Sequence, residues 1–202
     1  MNESRTTFDA SQVKTEKNAL RKQYKLLRSE LSEEEKQKLD RQICENTQSL
    51  ASFRYAETVL MYAPTKGEIN VMPIAEYALS CGKRIAFPRS NAENHTMDFK
   101  YVESLDSLVP GEFGIFEPSE DMPSVIDFSH SICIVPGLVF DKMGYRVGYG
   151  KGFYDRFFSN YRETKLGLIY SDFILDSVPR GRFDRRVDIL VSERGVKIAS
   201  SD

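Results

Sequence analysis

The chain has 202 residues, of which 41% are apolar, including 13 Phe and 10 Tyr, and this is enough for one substantial core. Its 28 basic and 30 acidic residues nearly balance, so composition gives no sign of binding to nucleic acid or to a membrane surface. No apolar run approaches the ~20 residues that a membrane-spanning helix needs. We expect a disordered tail over residues 1–13 and a single domain over residues 14–202.

The cysteines and histidines exclude several kinds of chemistry. Cys44, Cys81 and Cys133 are far apart and odd in number, which favours free thiols in a reducing cytoplasm over disulfides or a zinc site. Their apolar surroundings favour core positions. Neither His95 nor His130 has a partner at a metal-binding spacing, and there is no G-x-S-x-G motif, which disfavours a triad hydrolase. We expect both histidines at the surface or at a strand edge.

The first half of the chain begins with helical patterns and continues with a strand, a helix and a strand. The first helix is strongly basic, with apolar residues along one side. Ser32 and Glu35 form a capping box that opens the second helix. The first helix is predicted over Val13–Ser29, the second begins at Ser32, and a third, capped by Asn70, runs to Ser80. The predicted strands are Thr58–Tyr62 and Arg84–Phe87, and Pro88 ends the second of them.

The second half predicts further strands and one helix. The strands are Asp98–Val102, Ser131–Val135, Leu166–Tyr170, Val187–Val191 and the edge Val196–Ala199, with an irregular crossing at Ile115–Pro118 and a helix over Gly150–Asn160. This alternation predicts an α/β fold: a mostly parallel open sheet with helices on both faces, Rossmann-like and three-layered, preceded by the basic helix. Ligands of such sheets bind at the carboxyl ends of the strands. The turns after Tyr62, Phe87, Val135 and Tyr170 are therefore expected on one rim.

The segment after Ser131–Val135 is rich in glycine and basic residues. Its glycines and cations are Gly144, Arg146, Gly148, Gly150, Lys151 and Gly152. Glycines let backbone N–H groups approach an anion, and a helix N-terminus adds partial positive charge. Asp155, in the first turn of the predicted helix, is placed to hold a divalent cation against phosphates. The segment predicts a nucleotide site with a metal.

Two better-known phosphate motifs do not match this segment. A P-loop needs Ser or Thr after its Gly-Lys pair, and here Gly152 follows Gly150 and Lys151. The dinucleotide fingerprint needs G-x-G-x-x-G, and the spacing here is G-x-G-x-G. A mobile surface loop with a basic face stays open as an alternative.

The run from Pro136 to Phe157, PGLVFDKMGYRVGYGKGFYDRF, resembles the signature of the 5-formyltetrahydrofolate cyclo-ligase family. That signature is approximately P-G-L-x-F-D-x-x-G-x-R-[LV]-G-x-G-x-G-[YF]-Y-D-R. Further matches follow the family's order, at Lys17–Arg21, Tyr62–Ile69, Phe87–Arg89 and Val187-Asp188. The resemblance covers about residues 14–191.

The resemblance implies an ATP-dependent carbon–nitrogen ligase. Its reaction would convert 5-formyltetrahydrofolate and ATP into 5,10-methenyltetrahydrofolate, ADP and phosphate, with Mg²⁺ as cofactor and a phosphorylated formyl group as intermediate. Such phosphoryl transfer depends on positioning and charge neutralisation more than on protein nucleophiles. The expected partners are small molecules, ATP and a reduced folate, without nucleic acid or membrane, and the expected state is a cytoplasmic monomer.

The resemblance also implies roles for individual residues. Arg146 and Lys151 would be catalytic, and Asp155 and Asp188 would bind the metal. The nucleotide would contact Lys17, Arg21, Arg146, Val147, Gly148, Tyr149, Gly150, Lys151, Gly152, Phe153 and Tyr154. The folate would contact Ala63, Glu68, Tyr149, Gly150, Lys151, Gly152 and Phe153. The carboxylate of Glu68 would accept two parallel hydrogen bonds from the N–H edge of the pterin.

Other interpretations stay open at this point. Lys17 and Arg21 also fit a solvated helix face, Glu68 fits a support for the helix that follows it, and Asp188 fits an ion pair with a neighbouring arginine. The whole chain could be a non-catalytic folate- or nucleotide-binding regulator on the same fold. A sugar-phosphate isomerase or an acyl-CoA transferase is a further alternative, although neither needs a triphosphate site.

Overall fold

The computed structural model describes residues 10–91, 93–111 and 114–200. Its helices are α1 (Ala10–Glu30), α2 (Glu33–Ser49), α3 (Ala51–Tyr55), α4 (Met72–Ser80) and α5 (Phe153–Phe157). The basic helix begins three residues before the predicted Val13, so residues 10–13, assigned to the tail, are helical instead. The rest of the predicted tail, residues 1–9, lies outside the described residues. Ser32 caps α2 as predicted, since its Oγ accepts a hydrogen bond from Glu35 N.

Within the described residues, seven strands form the central sheet in the order β12-β11-β9-β6-β1-β2-β3. The strands of the chain are β1 (Thr58–Leu60), β2 (Arg84–Asn91), β3 (Thr96–Val102), β4 (Val109–Pro110), β5 (Phe116–Glu117), β6 (Ser131–Val135), β7 (Val139–Asp141), β8 (Arg146–Val147), β9 (Thr164–Leu168), β10 (Ile174–Leu175), β11 (Ile189–Ser192) and β12 (Gly195–Ile198). The five inner strands pair in parallel, and β3 and β12 close the edges antiparallel. The mostly parallel α/β sheet is confirmed.

The apolar strands lie at the centre of this sheet. Every residue of β1 and β6 is buried, as the near-continuous apolar sequences of parallel strands require. Helices α2 and α4 contact each other, α2 also contacts β11, α4 contacts β2, and α5 contacts β3. The core thus holds the carboxyl ends of β1, β2 and β6 side by side, at the rim where a ligand is expected.

Strand β2 is longer than predicted, because Pro88 does not end it. The pairing of β2 with β1 stops at Ala86, and only β3 pairs with the residues beyond it, up to Asn91. One side of the strand is therefore open at Pro88, where the missing N–H breaks no ladder on the β1 side. The continuation carries Ser90 to the rim.

Helix α5 is shorter than the predicted Gly150–Asn160. Gly150 and Gly152 have φ angles of 97° and 73°, which a right-handed helix does not admit, so the helix begins after them. Helix α4 likewise begins later than predicted. Val71 is its N-cap, while Asn70 accepts a hydrogen bond from Met72 N through its side chain.

A small second sheet, β10-β7-β8, was not predicted and separates β6 from the glycine loop. The loop therefore leaves from β8. Gly144 lies in the turn between β7 and β8 with a φ of 86°, and a Cβ there would come within 2.4 Å of Val187 O. Gly144 is thus needed for packing, while the glycines from Gly148 onward form the loop itself.

The cysteines and histidines follow the sequence analysis with one exception. Cys44 and Cys133 are buried, but Cys81 is exposed, because it is the C-cap of α4 rather than part of its apolar face. His95 and His130 are both exposed, as expected. Among the described residues, no helix has both the length and the apolar composition that crossing a membrane requires.

Candidate functional site

A cavity of about 540 Å³ lies where the rim of the sheet meets α1 and the glycine loop. Three of the four predicted turns contribute to it. Its lining from these turns is Tyr62, Ala63, Thr65 and Glu68 after β1, Pro88 and Ser90 on β2, and Pro136 after β6. The fourth turn does not line it. Tyr170 instead donates a hydrogen bond of 2.7 Å from its hydroxyl to buried Asp40.

Helix α1 brings two cations to the cavity. Arg21 Nε donates to Gly148 O at 2.8 Å, and its guanidinium lies so near Gly150 that a Cβ there would be 3.0 Å from it. Burial lowers the pKa of Arg21, and the Asp184 carboxylate acts in the opposite direction. Lys17 forms an ion pair with Asp184, which also accepts a 2.6 Å hydrogen bond from Gly181 N. The helix is therefore docked on the site and is not merely solvated.

Buried Arg146 forms an ion pair with the partly exposed carboxylate of Asp155 beside the glycine loop. Arg146 Nη2 lies 3.0 Å from Asp155 Oδ1, and Nη1 donates to Arg185 O at 2.8 Å. Arg185 N donates to the same Oδ1 at 3.1 Å. Both contacts engage Oδ1, and among the described residues no hydrogen bond to Oδ2 of Asp155 is found, so this oxygen can take a further ligand. Arg146 therefore orients the carboxylate of Asp155.

The remaining loop residues surround the cavity. Gly148, Tyr149, Lys151 and Phe153 line it, and Lys151 is exposed at the mouth. Tyr154 also lines it, and its hydroxyl is buried with no hydrogen-bond partner among the described residues. Burial raises the pKa of Tyr154 well above its ordinary value.

Val147 does not line the cavity. It is a buried residue of β8, and its carbonyl accepts a 2.9 Å hydrogen bond from Leu138 N. Its predicted place among the nucleotide contacts is therefore one of backbone support for the loop.

Glu68 is held in one orientation at the β1 side of the cavity. Its side chain is buried, with 6% of the residue exposed. Oε2 accepts two hydrogen bonds, from Thr65 N at 2.8 Å and from Thr65 Oγ1 at 2.7 Å. The turn itself is tied down, since Tyr62 Oη donates to Ile69 O and Asn70 N donates to Asp40, both at 2.9 Å. Tyr149 lies beside this carboxylate, since burial and then the charge of Glu68 and a side-chain hydrogen bond to it raise the pKa of the Tyr149 hydroxyl.

Asp188 lies outside the cavity. It pairs with Lys165 Nζ at 2.8 Å and accepts a hydrogen bond of 2.8 Å from Lys165 N, so its partner is a lysine of β9 rather than a neighbouring arginine. The structure does not bring Asp188 to Asp155. Among the described residues, no three acidic, His or Cys side chains form a ready-made metal cluster. The role of Asp188 as a metal ligand stays a prediction, and the lining of this cavity does not support it.

Sequence reasoning missed several residues of the cavity, and three of them have side chains that matter to the geometry of the site. Thr65 orients Glu68, Asp184 pairs with Lys17, and Glu117 lines the cavity from β5. The arginine-rich run around Asp184 was a usable signal, since a lone carboxylate among cations needs a role. Nothing local marks Glu117, which lies in a segment that the sequence left as an irregular crossing.

A family model and curated relatives match most of this chain. The model of the 5-formyltetrahydrofolate cyclo-ligase family matches residues 13–193. A probable 5-formyltetrahydrofolate cyclo-ligase of Caenorhabditis elegans is 28% identical, over 91% of this chain and 95% of that protein. The 5-formyltetrahydrofolate cyclo-ligase of Escherichia coli K12 is 26% identical, over 78% of this chain and 89% of that protein.

Two solved structures are similar over nearly their whole length. The 5,10-methenyltetrahydrofolate synthetase of Aquifex aeolicus superposes with a TM-score of 0.81 at 34% identity, covering 92% of this chain and 94% of that one. The synthetase of Mycoplasma pneumoniae gives 0.71 at 25% identity, covering 88% and 98%. From the family match over residues 13–193 and the shared fold, we conclude that the chain belongs to the 5-formyltetrahydrofolate cyclo-ligase family.

Proposed function

We propose that this chain catalyses the ATP-dependent closure of 5-formyltetrahydrofolate to 5,10-methenyltetrahydrofolate, with release of ADP and phosphate. One observation carries the proposal: a single cavity joins a glycine loop flanked by cations to the buried carboxylate of Glu68. The loop suits a triphosphate, and Glu68 suits the donor edge of a pterin. Membership of the cyclo-ligase family supports the same reaction.

The reaction explains why such a site needs no histidine or serine nucleophile. The formyl oxygen attacks the γ-phosphorus of ATP, and the bond to the β-phosphate oxygen breaks to release ADP. N10 then attacks the activated formyl carbon and loses its proton. The carbon–oxygen bond breaks, and phosphate leaves with the former formyl oxygen. Positioning and neutralisation of phosphate charge are what the protein supplies.

At the nucleotide end, the cations have separate tasks. Lys17 is the cation that we expect to exchange its carboxylate partner, Asp184, for a phosphate oxygen when ATP enters. Arg21 secures the loop through Gly148 O while its charge remains near the phosphates. Lys151, which is exposed at the mouth of the cavity, is expected to neutralise charge on the phosphoryl group during its transfer. Preorganised charges of this kind stabilise the transition state.

The residues fit a magnesium ion at Asp155. Mg²⁺ is commonly held by one or two carboxylates together with substrate phosphates, and it retains several waters. Asp155 offers such a carboxylate, because Arg146 and Arg185 N both engage Oδ1 and leave Oδ2. A metal ion bound there would neutralise charge on the phosphates. Asp188 remains a second predicted ligand, outside the cavity in this arrangement.

At the folate end, Glu68 and Tyr149 define the pterin position. Tyr149 belongs to the glycine loop. Burial is the largest cause that raises the pKa of the Tyr149 hydroxyl and the charge of Glu68 is the second, so the two side chains are neighbours. Ala63 and Phe153 provide apolar surface for the flat ring. A bound pterin would thus contact the same loop that holds the phosphates, which brings the formyl oxygen towards the γ-phosphate.

The non-catalytic alternative has less support. Lys17, Lys151 and Asp155 around one cavity argue against a folate- or nucleotide-binding regulator, because binding alone does not need charges placed for phosphoryl transfer. We also propose that the enzyme acts as a cytoplasmic monomer. The free cysteines support a reducing compartment, and sedimentation at working concentration would test the monomer.

An isotope experiment tests the chemical path. With ¹⁸O in the formyl group, a phosphorylated formyl intermediate transfers the label to the released phosphate, which phosphorus NMR detects as a shifted signal. Unlabelled phosphate with turnover intact would contradict the intermediate and leave the overall reaction in place.

A further inference from the structure

Glu117 is a second buried carboxylate at the cavity, and the mechanism above gives it no role. It lies on β5 with 3% of its surface exposed. It lines the main cavity and also an adjoining cavity of about 530 Å³ between β2 and the β4–β5 hairpin. The side chain is therefore buried from solvent while it borders the space that a substrate would fill.

The protein satisfies Glu117 less well than its other buried acids. Asp40 and Asp141 each accept hydrogen bonds from three donors, and Glu68 accepts two. Within the described residues, Glu117 accepts one, from Ser90 N to Oε1 at 3.2 Å. A carboxylate has about four acceptor positions, and burial without donors is costly. Unmet acceptor capacity is thus greatest at the acid that faces both cavities.

The cation that shares the adjoining cavity with Glu117 does not neutralise the charge of this carboxylate. Arg89 shares the adjoining cavity with Glu117, but it donates to Pro118 O at 3.0 Å and lies 3.8 Å from Glu120. Oε2 of Glu117 lies against Gly111, where a Cβ would come within 2.6 Å of it. The hairpin leaves room for the carboxylate, and among the described residues no cation forms an ion pair with it, so a ligand with an N–H donor fits this position.

Glu117 and Glu68 line the same cavity from two different segments. Glu68 lies in the turn after β1, and Glu117, on β5, accepts a hydrogen bond from Ser90 of β2, the strand that pairs with β1. If Glu68 takes the amino and N3–H edge of the pterin, the other edge offers one more ring donor, N8–H. That donor exists in tetrahydro- and 7,8-dihydropterins. In the fully oxidised ring N8 is an acceptor with a lone pair, which a carboxylate repels.

We propose that Glu117 accepts a hydrogen bond from N8–H of the folate and thereby selects reduced over fully oxidised pterins. This specificity role rests on the proposed function, because it takes a folate as the occupant of the cavity. It is a role in recognition, separate from the phosphoryl transfer at the glycine loop.

The test compares two ligands that differ in the 7,8-bond. Dissociation constants for 7,8-dihydrofolate and folic acid are measured by calorimetry for the wild type, Glu117→Gln and the control Glu120→Gln, whose side chain is 88% exposed in the turn after β5. We expect the wild type and the control to prefer 7,8-dihydrofolate ~10-fold or more, as a charged hydrogen bond does. In Glu117→Gln the amide can donate to N8, so the preference falls to about threefold or less.

Two results would overturn the proposal. One is a wild type that binds both ligands equally, a measurement that needs no variant. The other is a Glu117→Gln protein that still binds ATP and keeps the full preference. If the variant no longer binds ATP, the proposal is decided by the wild type's affinities for 7,8-dihydrofolate and folic acid alone. Turnover of 5-formyltetrahydrofolate with ATP by the wild type is scored separately, so failure of the proposed function is distinguishable from failure of this inference.

Discussion

Replacing Glu68 with Gln separates folate binding from nucleotide binding. The structure determines how the amide must lie, because Oε2 accepts from both Thr65 N and Thr65 Oγ1. An amide oxygen is needed at that position to keep both hydrogen bonds. The amide NH₂ then takes the place of Oε1 and presents a donor to the donor edge of the pterin. The fold is retained, and only the face towards the ligand changes.

The size of the effect follows from this orientation. Glu68→Gln removes a charged hydrogen bond to the pterin and sets two donors against each other, which we expect to cost about 2–4 kcal/mol of folate affinity. That corresponds to a dissociation constant raised by about 30- to 700-fold. ATP affinity should barely change, since a carboxylate at this position has no reason to approach a triphosphate.

Calorimetric titration of each ligand into the variant measures both quantities. Thr65→Val is the matched control, because it removes one of the two hydrogen bonds that orient Glu68 while the carboxylate stays, and its folate affinity should fall less. The reasoning is refuted if ATP binding falls as much as folate binding, or if folate binding does not fall. Glu68 would then support the turn, and the pterin would bind elsewhere.

Three further predictions concern the loop, the metal and the thiols. Lys151→Ala should lower turnover by ~10²-fold or more, as loss of a preorganised charge does, and near-normal turnover would remove this residue from the phosphate site. Asp155→Asn should raise the magnesium concentration needed for half-maximal rate more than Asp188→Asn does, because only Asp155 lines the cavity; the reverse order in magnesium titrations would contradict the geometry. In the native protein at mildly alkaline pH, a thiol reagent should label exposed Cys81 first, because burial raises the pKa of Cys44 to about 12 and keeps it protonated; peptide mass mapping that finds Cys44 labelled first would refute this.

Local patterns predicted the parts of the fold that depend on local physics. The apolar run of β6 and the cap at Ser32 are determined by neighbouring residues and lie as predicted, while β1 begins at the predicted Thr58 but ends at Leu60. The end of β2 could not be predicted, because Pro88 is tolerated only where β1 stops pairing with β2. The predicted start of α5 at Gly150 was also wrong, because left-handed φ angles at glycines depend on the tertiary contacts of the loop.

The candidate site shows the same division. The glycine loop and Asp155 are adjacent in the chain, so spacing reveals them. Asp184 and Glu117 reach the cavity through long-range contacts with Lys17 and Ser90, and no local pattern reports such contacts. Asp188 illustrates the converse, because a position in a matched motif does not establish which side chain it will contact; in this structure that partner is Lys165.

The most direct test of the account is the formation of 5,10-methenyltetrahydrofolate by the purified protein, followed by the near-ultraviolet absorbance of the product. Product should form only when 5-formyltetrahydrofolate, ATP and Mg²⁺ are all present, with one phosphate released for each ring closed. Product formed without ATP, or ATP hydrolysed with no product, would contradict it.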